Sequence, residues 1–135
     1  MSSVQNPRIL IVEDDSKVAL KYQRVLEDIG VSKIAKDSTQ AFEQIDDFEP
    51  HVILLDLVLE GDREYEPWES GWRVLERLKE KTSPWRDIPV IVVTGRIEPD
   101  VEQRCRDIGA AEFFRKPVPI DMLRKAVKNS LQEQQ

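Results

Sequence analysis

Five side chains that could do chemistry together stand where predicted strands end: Glu13, Asp14, Asp56, Thr94 and Lys116. Carboxylates that are gathered without a counter-charge repel one another and raise each other's pKa. A hard divalent cation such as Mg²⁺ relieves that repulsion, because it is held by one or two carboxylates together with water and phosphate oxygens. A lysine ammonium and a threonine hydroxyl suit a phosphoryl group, as a point charge and as a hydrogen-bond donor. The set therefore indicates Mg²⁺-assisted phosphoryl chemistry.

Alternating strands and helices must position these side chains. Apolar runs rich in β-branched residues predict buried strands at Ile9–Val12, Val52–Leu55 and Val90–Val93. Weaker patterns predict two more strands, at Ser32–Ala35 and Ala110–Phe114. An amphipathic helical pattern follows each strand, and the order βαβαβαβαβα predicts a parallel sheet with helices on both faces. Ligands of such sheets bind outside the carboxyl ends of the strands, which is where the five side chains would meet.

Capping residues set the predicted starts of several helices. Ser38 and Ser70 are candidate N-caps of the second and third helices. The last helix is predicted to open at Pro119, because a first helical turn accepts proline. His51, directly before the third strand, is expected to be an exposed loop residue, and Cys105, on an apolar helical face, a core residue.

Length and charge limit the class of protein. The 135 residues fit one domain with a single core. The net charge of −6 disfavours nucleic acid and anionic membranes as direct partners. No apolar run approaches the ~20 residues of a membrane-spanning helix, and the polar start lacks the features of a signal peptide. With the single cysteine, these features predict a cytoplasmic protein.

Four motifs stand in an order and spacing that resemble a known family: ILIVEDD, VILLDLVL, VIVVTG and GAAEFFRKP. They are similar to the receiver domain of two-component response regulators, over about residues 7–131. The resemblance implies a flavodoxin-like, doubly wound (βα)5 fold with a five-stranded parallel sheet of order 2-1-3-4-5. The receiver domain would occupy residues 8–131, between tails at residues 1–7 and 132–135.

The resemblance also implies a phosphoryl acceptor and a metal site. Asp56 aligns with the phospho-acceptor, which also ligates Mg²⁺. Asp14 would bind Mg²⁺ directly and Glu13 through water, and the backbone carbonyl of Val58 would be a further ligand. Taken without the other motifs, Glu13–Asp15 could equally be a helix N-cap.

Three more positions would respond to phosphorylation. Thr94 would bond the phosphoryl oxygens, and Lys116 would pair with Asp56 or its phosphate. The Lys116–Pro117 peptide bond is expected to be cis. Phe113 takes the position of the aromatic switch residue, although a phenylalanine there could also be an ordinary core residue.

Two departures from the family pattern fall in the segment after Asp56. Glu60 occupies a position where the family usually has proline, and Gly71 lies 15 residues after Asp56, farther than usual. The loop over residues 57–70 is therefore expected to be extended. It is either a solvated insertion, since loop closure entropy grows slowly with length, or an apolar tip of Tyr65, Pro67 and Trp68 that selects partners.

The resemblance implies a switch that takes phosphate onto Asp56 from a histidine kinase or phosphotransfer protein and then changes a protein-binding face. Such a domain catalyses only its own phosphorylation and dephosphorylation, and so is not a conventional enzyme. It is expected to be a monomer or weak homodimer that contacts neither nucleic acid nor membrane. The alternative is a degenerate receiver that binds protein independently of phosphorylation. A small phosphohydrolase is disfavoured, because Val58 stands where a second acidic group would serve.

Overall fold

The computed structural model describes residues 4–132, which form five strands and five helices in strict alternation. In chain order the elements are β1 (Arg8–Val12), α1 (Ser16–Leu26), β2 (Val31–Ala35), α2 (Ser38–Phe48), β3 (Val52–Leu55), α3 (Pro67–Leu78), β4 (Val90–Thr94), α4 (Val101–Ile108), β5 (Glu112–Arg115) and α5 (Ile120–Gln132). The predicted tails lie partly outside the described residues, and Gln132 belongs to α5 rather than to a tail.

All strands are parallel, and their order is β2-β1-β3-β4-β5, which confirms the expected flavodoxin-like topology. Side chains from β1 and β3 alternate between two apolar layers, as the pleat requires. Leu10 and Leu55 pack on the side of α2, α3 and α4, whereas Ile9 and Leu54 pack on the side of α1 and α5. Burial on both faces explains why the strand sequences are continuous apolar runs.

Hydrogen bonds between neighbouring strands continue one residue past the strand ends. The N–H of Glu13 donates to Ala35 O at 2.9 Å, and the N–H of Asp56 donates to Val12 O at 3.0 Å. The N–H of Lys116 donates to Thr94 O at 2.8 Å. The backbone at the carboxyl edge is therefore fixed by the sheet itself.

Two predicted helix caps are wrong. Asp37, not Ser38, caps α2, because its carboxylate accepts a hydrogen bond from the N–H of Gln40 at 2.8 Å. The third helix begins at Pro67, ahead of the predicted cap Ser70, since proline in the first turn needs no N–H partner. In α1, Asp15 is the cap, which assigns it a structural role.

Smaller differences concern single residues. Strand β5 begins two residues later than predicted, because Ala110 still bonds to Cys105 O of helix α4, at 2.9 Å. His51 is half-buried rather than an exposed loop residue, and its Nδ1 accepts a hydrogen bond from the N–H of Arg8 at 3.0 Å. Cys105 is fully buried, as predicted. Within residues 4–132, no helix has the length and apolar character needed to cross a bilayer.

Candidate functional site

Three carboxylates converge at the carboxyl edge of the sheet. Glu13 and Asp14 follow β1, and Asp56 follows the neighbouring strand β3, so the parallel pairing brings them side by side. Each contributes one oxygen to a group in which the oxygens lie within 4.8 Å of one another. Glu13 and Asp56 are buried, and Asp14 is half-buried at the opening.

Lys116, just after β5, reaches into this group. Its Nζ lies 2.8 Å from Glu13 Oε1 and 2.8 Å from Asp56 Oδ2. One ammonium therefore bridges two carboxylates, while Asp14 forms no ion pair with any described residue. The preceding peptide, Lys116–Pro117, is cis, as expected.

Burial and the neighbouring charges shift the pKa of two members of this group. Burial, together with the nearby Asp56, raises the pKa of Glu13 to about 7, although the hydrogen bond from Lys116 opposes that rise. Burial alone would lower the pKa of Lys116, but its hydrogen bonds to Asp56 and Glu13 outweigh burial and raise it. Three carboxylates against one ammonium leave an excess of negative charge, which a divalent cation would neutralise.

The donor set fits Mg²⁺ in chemical type, because hard oxygen ligands are those that Mg²⁺ takes from proteins. The other carboxylate oxygen of Asp56, Oδ1, accepts a hydrogen bond from the N–H of Val58 at 3.2 Å. The second oxygen of Glu13, Oε2, accepts from the N–H of Asp15 at 3.1 Å. The predicted role of the Val58 carbonyl as a metal ligand stays a prediction.

Thr94 reaches the same edge of the sheet but is not bonded to Asp56. It ends β4 and is fully buried, and its Oγ1 accepts a hydrogen bond from the N–H of Arg96 at 3.1 Å. The guanidinium of Arg96 in turn donates to Trp68 O on α3 at 3.1 Å. Because Oγ1 acts here as an acceptor, the hydroxyl proton of Thr94 is not used in this bond, and the predicted contact of Thr94 with a phosphoryl group stays a prediction.

Phe113 lies in β5 with 6% of its surface exposed and belongs to the core layer beside α4. The guanidinium of Arg115 lies 5.3 Å from the centre of its ring. The ring is thus buried in this structure, as an ordinary core residue would be. Its switch role stays a prediction.

Helix α3 contacts the backbone of Asp56 and Leu57 through Gly71. The N–H of Gly71 donates to Leu57 O at 3.0 Å, and a Cβ on Gly71 would lie 2.2 Å from Asp56 O. Gly71 lies inside α3, four residues after the helix begins at Pro67. The extra length between Asp56 and Gly71 is therefore shared between a loop and an added first turn of α3.

The loop is anchored by Asp62, a residue that no sequence motif singles out. The carboxylate of Asp62 accepts from both the N–H and the hydroxyl of Ser38, at 2.7 and 3.0 Å, and from the N–H groups of Glu64 and Tyr65. The N–H of Glu60 donates to Asp14 Oδ2 at 3.1 Å. The turn sequence Glu60-Gly61-Asp62 was a signal that could have indicated this ordered segment.

The proposed apolar tip of Tyr65, Pro67 and Trp68 is not a single feature. Tyr65 is half-buried and lines a cavity against α2 together with Phe42 and Trp85. Trp68 is 61% exposed and faces the groove between α3 and α4, beside Arg96. The two aromatic side chains therefore serve different faces of the molecule.

Comparisons with known proteins agree with this geometry. Residues 9–128 match the family model of the response regulator receiver domain. The chain is 30% identical to sporulation initiation phosphotransferase F of Bacillus subtilis over 129 residues, which cover 95% of this chain and 96% of that protein. It is 35% identical to the phosphate regulon transcriptional regulatory protein PhoB of Escherichia coli over 111 residues. That match covers 82% of this chain but only 45% of PhoB, so the chain spans less than half of that relative.

Solved structures give the same result. The receiver domain of a DNA-binding response regulator from Colwellia psychrerythraea superposes with a TM-score of 0.80 and 30% identity, covering 91% of this chain and 96% of that one. The fold, the strand-end acids and the family match point to one assignment. The chain belongs to the response regulator receiver domain family of two-component signalling.

Proposed function

We propose that this receiver domain accepts a phosphoryl group on Asp56 from the phosphohistidine of a histidine kinase or phosphotransfer protein. The observation that supports this best is the bridge from Lys116 to Glu13 and Asp56, beside the carboxylate of Asp14, which forms no ion pair within residues 4–132. Such an arrangement holds a carboxylate at the end of a rigid strand, with a cation in contact and with room for a second. A protein-binding module without phosphoryl chemistry would not need this concentration of buried charge.

The reaction is a transfer between two nucleophiles. An oxygen of Asp56 attacks phosphorus, the P–N bond to the donor histidine breaks, and the electron pair of that bond returns to the imidazole. The product is an acyl phosphate on Asp56. Bound Mg²⁺ would supply charge neutralisation at the phosphoryl oxygens. Glu13, Asp14 and Asp56, with the carbonyl of Val58, are the groups that would hold it.

Lys116 would remain with the modified Asp56 as a counter-charge for the phosphate. Thr94 would donate its hydroxyl proton to a phosphoryl oxygen, and its Oγ1, which accepts from the N–H of Arg96, would report the modification to the loop before α4. Phe113 and Arg115 lie on the neighbouring strand, where such a change would alter the face made by α4, β5 and α5. That face is proposed to bind the downstream protein.

Phosphorylation with a small donor tests the proposal. We expect acetyl phosphate with Mg²⁺ to add one acid-labile phosphate, detected by intact-mass spectrometry, and Asp56→Asn to abolish it. Asp15→Asn is the matched control, because Asp15 is an acid of the same sequence run that caps α1. A phosphate that persists in Asp56→Asn would overturn the assignment of the acceptor. Absence of any phosphate, with partner binding intact, would favour the degenerate receiver.

A further inference from the structure

Asp14 depends on one hydrogen bond for its orientation. Its Oδ2 accepts from the N–H of Glu60 at 3.1 Å, and no other hydrogen bond or ion pair to this carboxylate occurs within residues 4–132. Glu13, by contrast, is held at both oxygens, by Lys116 and by the N–H of Asp15. Loss of the bond from Glu60 would leave the half-buried Asp14 side chain free to rotate.

The backbone at Glu60 is itself fixed by a tight turn. The N–H of Asp62 donates to Leu59 O at 3.3 Å, and Gly61 between them has a φ of 80°. This is the pattern of a type II β-turn, in which Glu60 takes the second position. The carboxylate of Asp62 then ties the turn to Ser38 at the start of α2, so the N–H of Glu60 is aimed from a rigid base.

A proline at position 60 could not make this contact, because proline has no backbone N–H. The family usually has proline there, so the bond to Asp14 is a property of this chain's own sequence. Position 60 of this chain therefore has an ordered N–H donor, next to a carboxylate that would ligate a cation.

We propose that the backbone amide of Glu60 is a positioning group that holds Asp14 ready for a divalent cation. The inference rests on the proposed function, since it assumes that the acidic group binds Mg²⁺. A carboxylate that is already oriented loses less conformational freedom when it binds than one that rotates. The bond occupies Oδ2, which leaves Oδ1 available to the cation.

Glu60→Pro is the direct test. Proline is favoured at the second position of a type II turn, so this change removes the N–H while it preserves the turn. Glu60→Ala is the matched control, because it removes the same carboxylate and keeps the N–H. Dissociation constants for Mg²⁺ are to be measured by NMR, from the backbone amide shifts of Asp14 and Asp56, at low and high salt.

We expect Glu60→Pro to bind Mg²⁺ roughly threefold to tenfold more weakly than Glu60→Ala, the range that corresponds to ordering one side chain. The difference should persist at high salt, because it does not arise from a surface charge. Asp62→Ala loosens the same turn without proline and should weaken binding in the same direction.

The possible results distinguish a failure of the positioning role of Glu60 from a failure of the proposed function. Equal affinities for Glu60→Pro and Glu60→Ala, or an unchanged affinity in Asp62→Ala, would overturn the positioning role while the proposed function stands. Absence of Mg²⁺ binding by the unsubstituted chain would overturn both.

Discussion

Replacing Gly71 by alanine should displace the backbone that carries Asp56, the proposed phospho-acceptor. A Cβ at this position would lie 2.2 Å from Asp56 O and 2.3 Å from Leu57 Cα, whereas ordinary van der Waals contact begins near 3.4 Å. Both colliding atoms belong to backbone, and the N–H of Asp56 is bonded to Val12 O in the sheet. Backbone atoms cannot avoid the new Cβ by a change of side-chain rotamer, so either α3 or the segment after β3 must move.

Two opposing effects set the magnitude. Overpacking of a well-packed interior costs about 1–3 kcal/mol, and a collision between two backbones belongs at the upper end of that range. Alanine favours a helix over glycine by about 1 kcal/mol. The net loss in the free energy of unfolding is then about 2 kcal/mol, which for a domain of this size lowers Tm by roughly 7 °C.

Thermal unfolding followed by circular dichroism measures the net change in stability. The rate of phosphorylation by acetyl phosphate measures whether the backbone of Asp56 has been displaced. Gly95→Ala is the control for stability, because nothing lies within 4 Å of the Cβ that it would add. We expect Gly71→Ala to lose both stability and phosphorylation rate. A rise in Tm with an unchanged rate, as helix propensity alone would give, would refute the close approach of α3 to Asp56.

Four further outcomes are expected. Burial lowers the pKa of His51 below its usual 6.5, so the unfolded chain binds the proton more readily than the folded one. The free energy of unfolding should therefore fall as the pH drops through about 6.5. Urea titrations at several pH values should show that His51→Gln lacks this pH-dependent loss of stability. Asp62→Ala should lower the free energy of unfolding by about 1–2 kcal/mol, measured by urea denaturation, because the N–H at the start of α2 and the hydroxyl of Ser38 lose their acceptor. Burial raises the pKa of Cys105 to about 11, so iodoacetamide should modify the native thiol at least about a hundredfold more slowly than the unfolded one at pH 8. Thr94→Ala should still accept phosphate but fail to propagate it, seen as an NMR shift pattern on beryllofluoride addition that stops short of β5; the full unsubstituted pattern would contradict this.

The order of strands and helices could be predicted because it depends on local patterns. Runs such as Val52–Leu55 are buried on both faces, and their composition alone indicates a parallel sheet. The convergence of Glu13, Asp14 and Asp56 followed from that topology, since parallel strands bring their carboxyl ends to one edge.

What could not be predicted depends on contacts between distant segments. Ser70 is a good N-cap by type, but its hydroxyl instead accepts from the N–H of Leu59 at 2.9 Å, a bond that only the folded loop creates. Lys116 was expected to pair with Asp56, and its second partner, Glu13, required the distance between two strand ends. No sequence motif assigns a contact to Asp62, whose structural role comes from its hydrogen bonds with Ser38, a residue 24 positions away.

The extra segment after Asp56 leaves and rejoins the fold at almost the same point. The N–H of Leu59 donates to Ser70 Oγ and to Pro67 O, at 2.9 and 3.3 Å, so the two ends of the excursion are fastened together. Changes in length between Arg63 and Glu66 would then be absorbed above this fastening, without strain at the strand end below. The site of insertion is thus one where evolution, or an engineer placing a fluorescent tag or a peptide epitope, can vary chain length while the two ends of the segment stay joined beside the strand end.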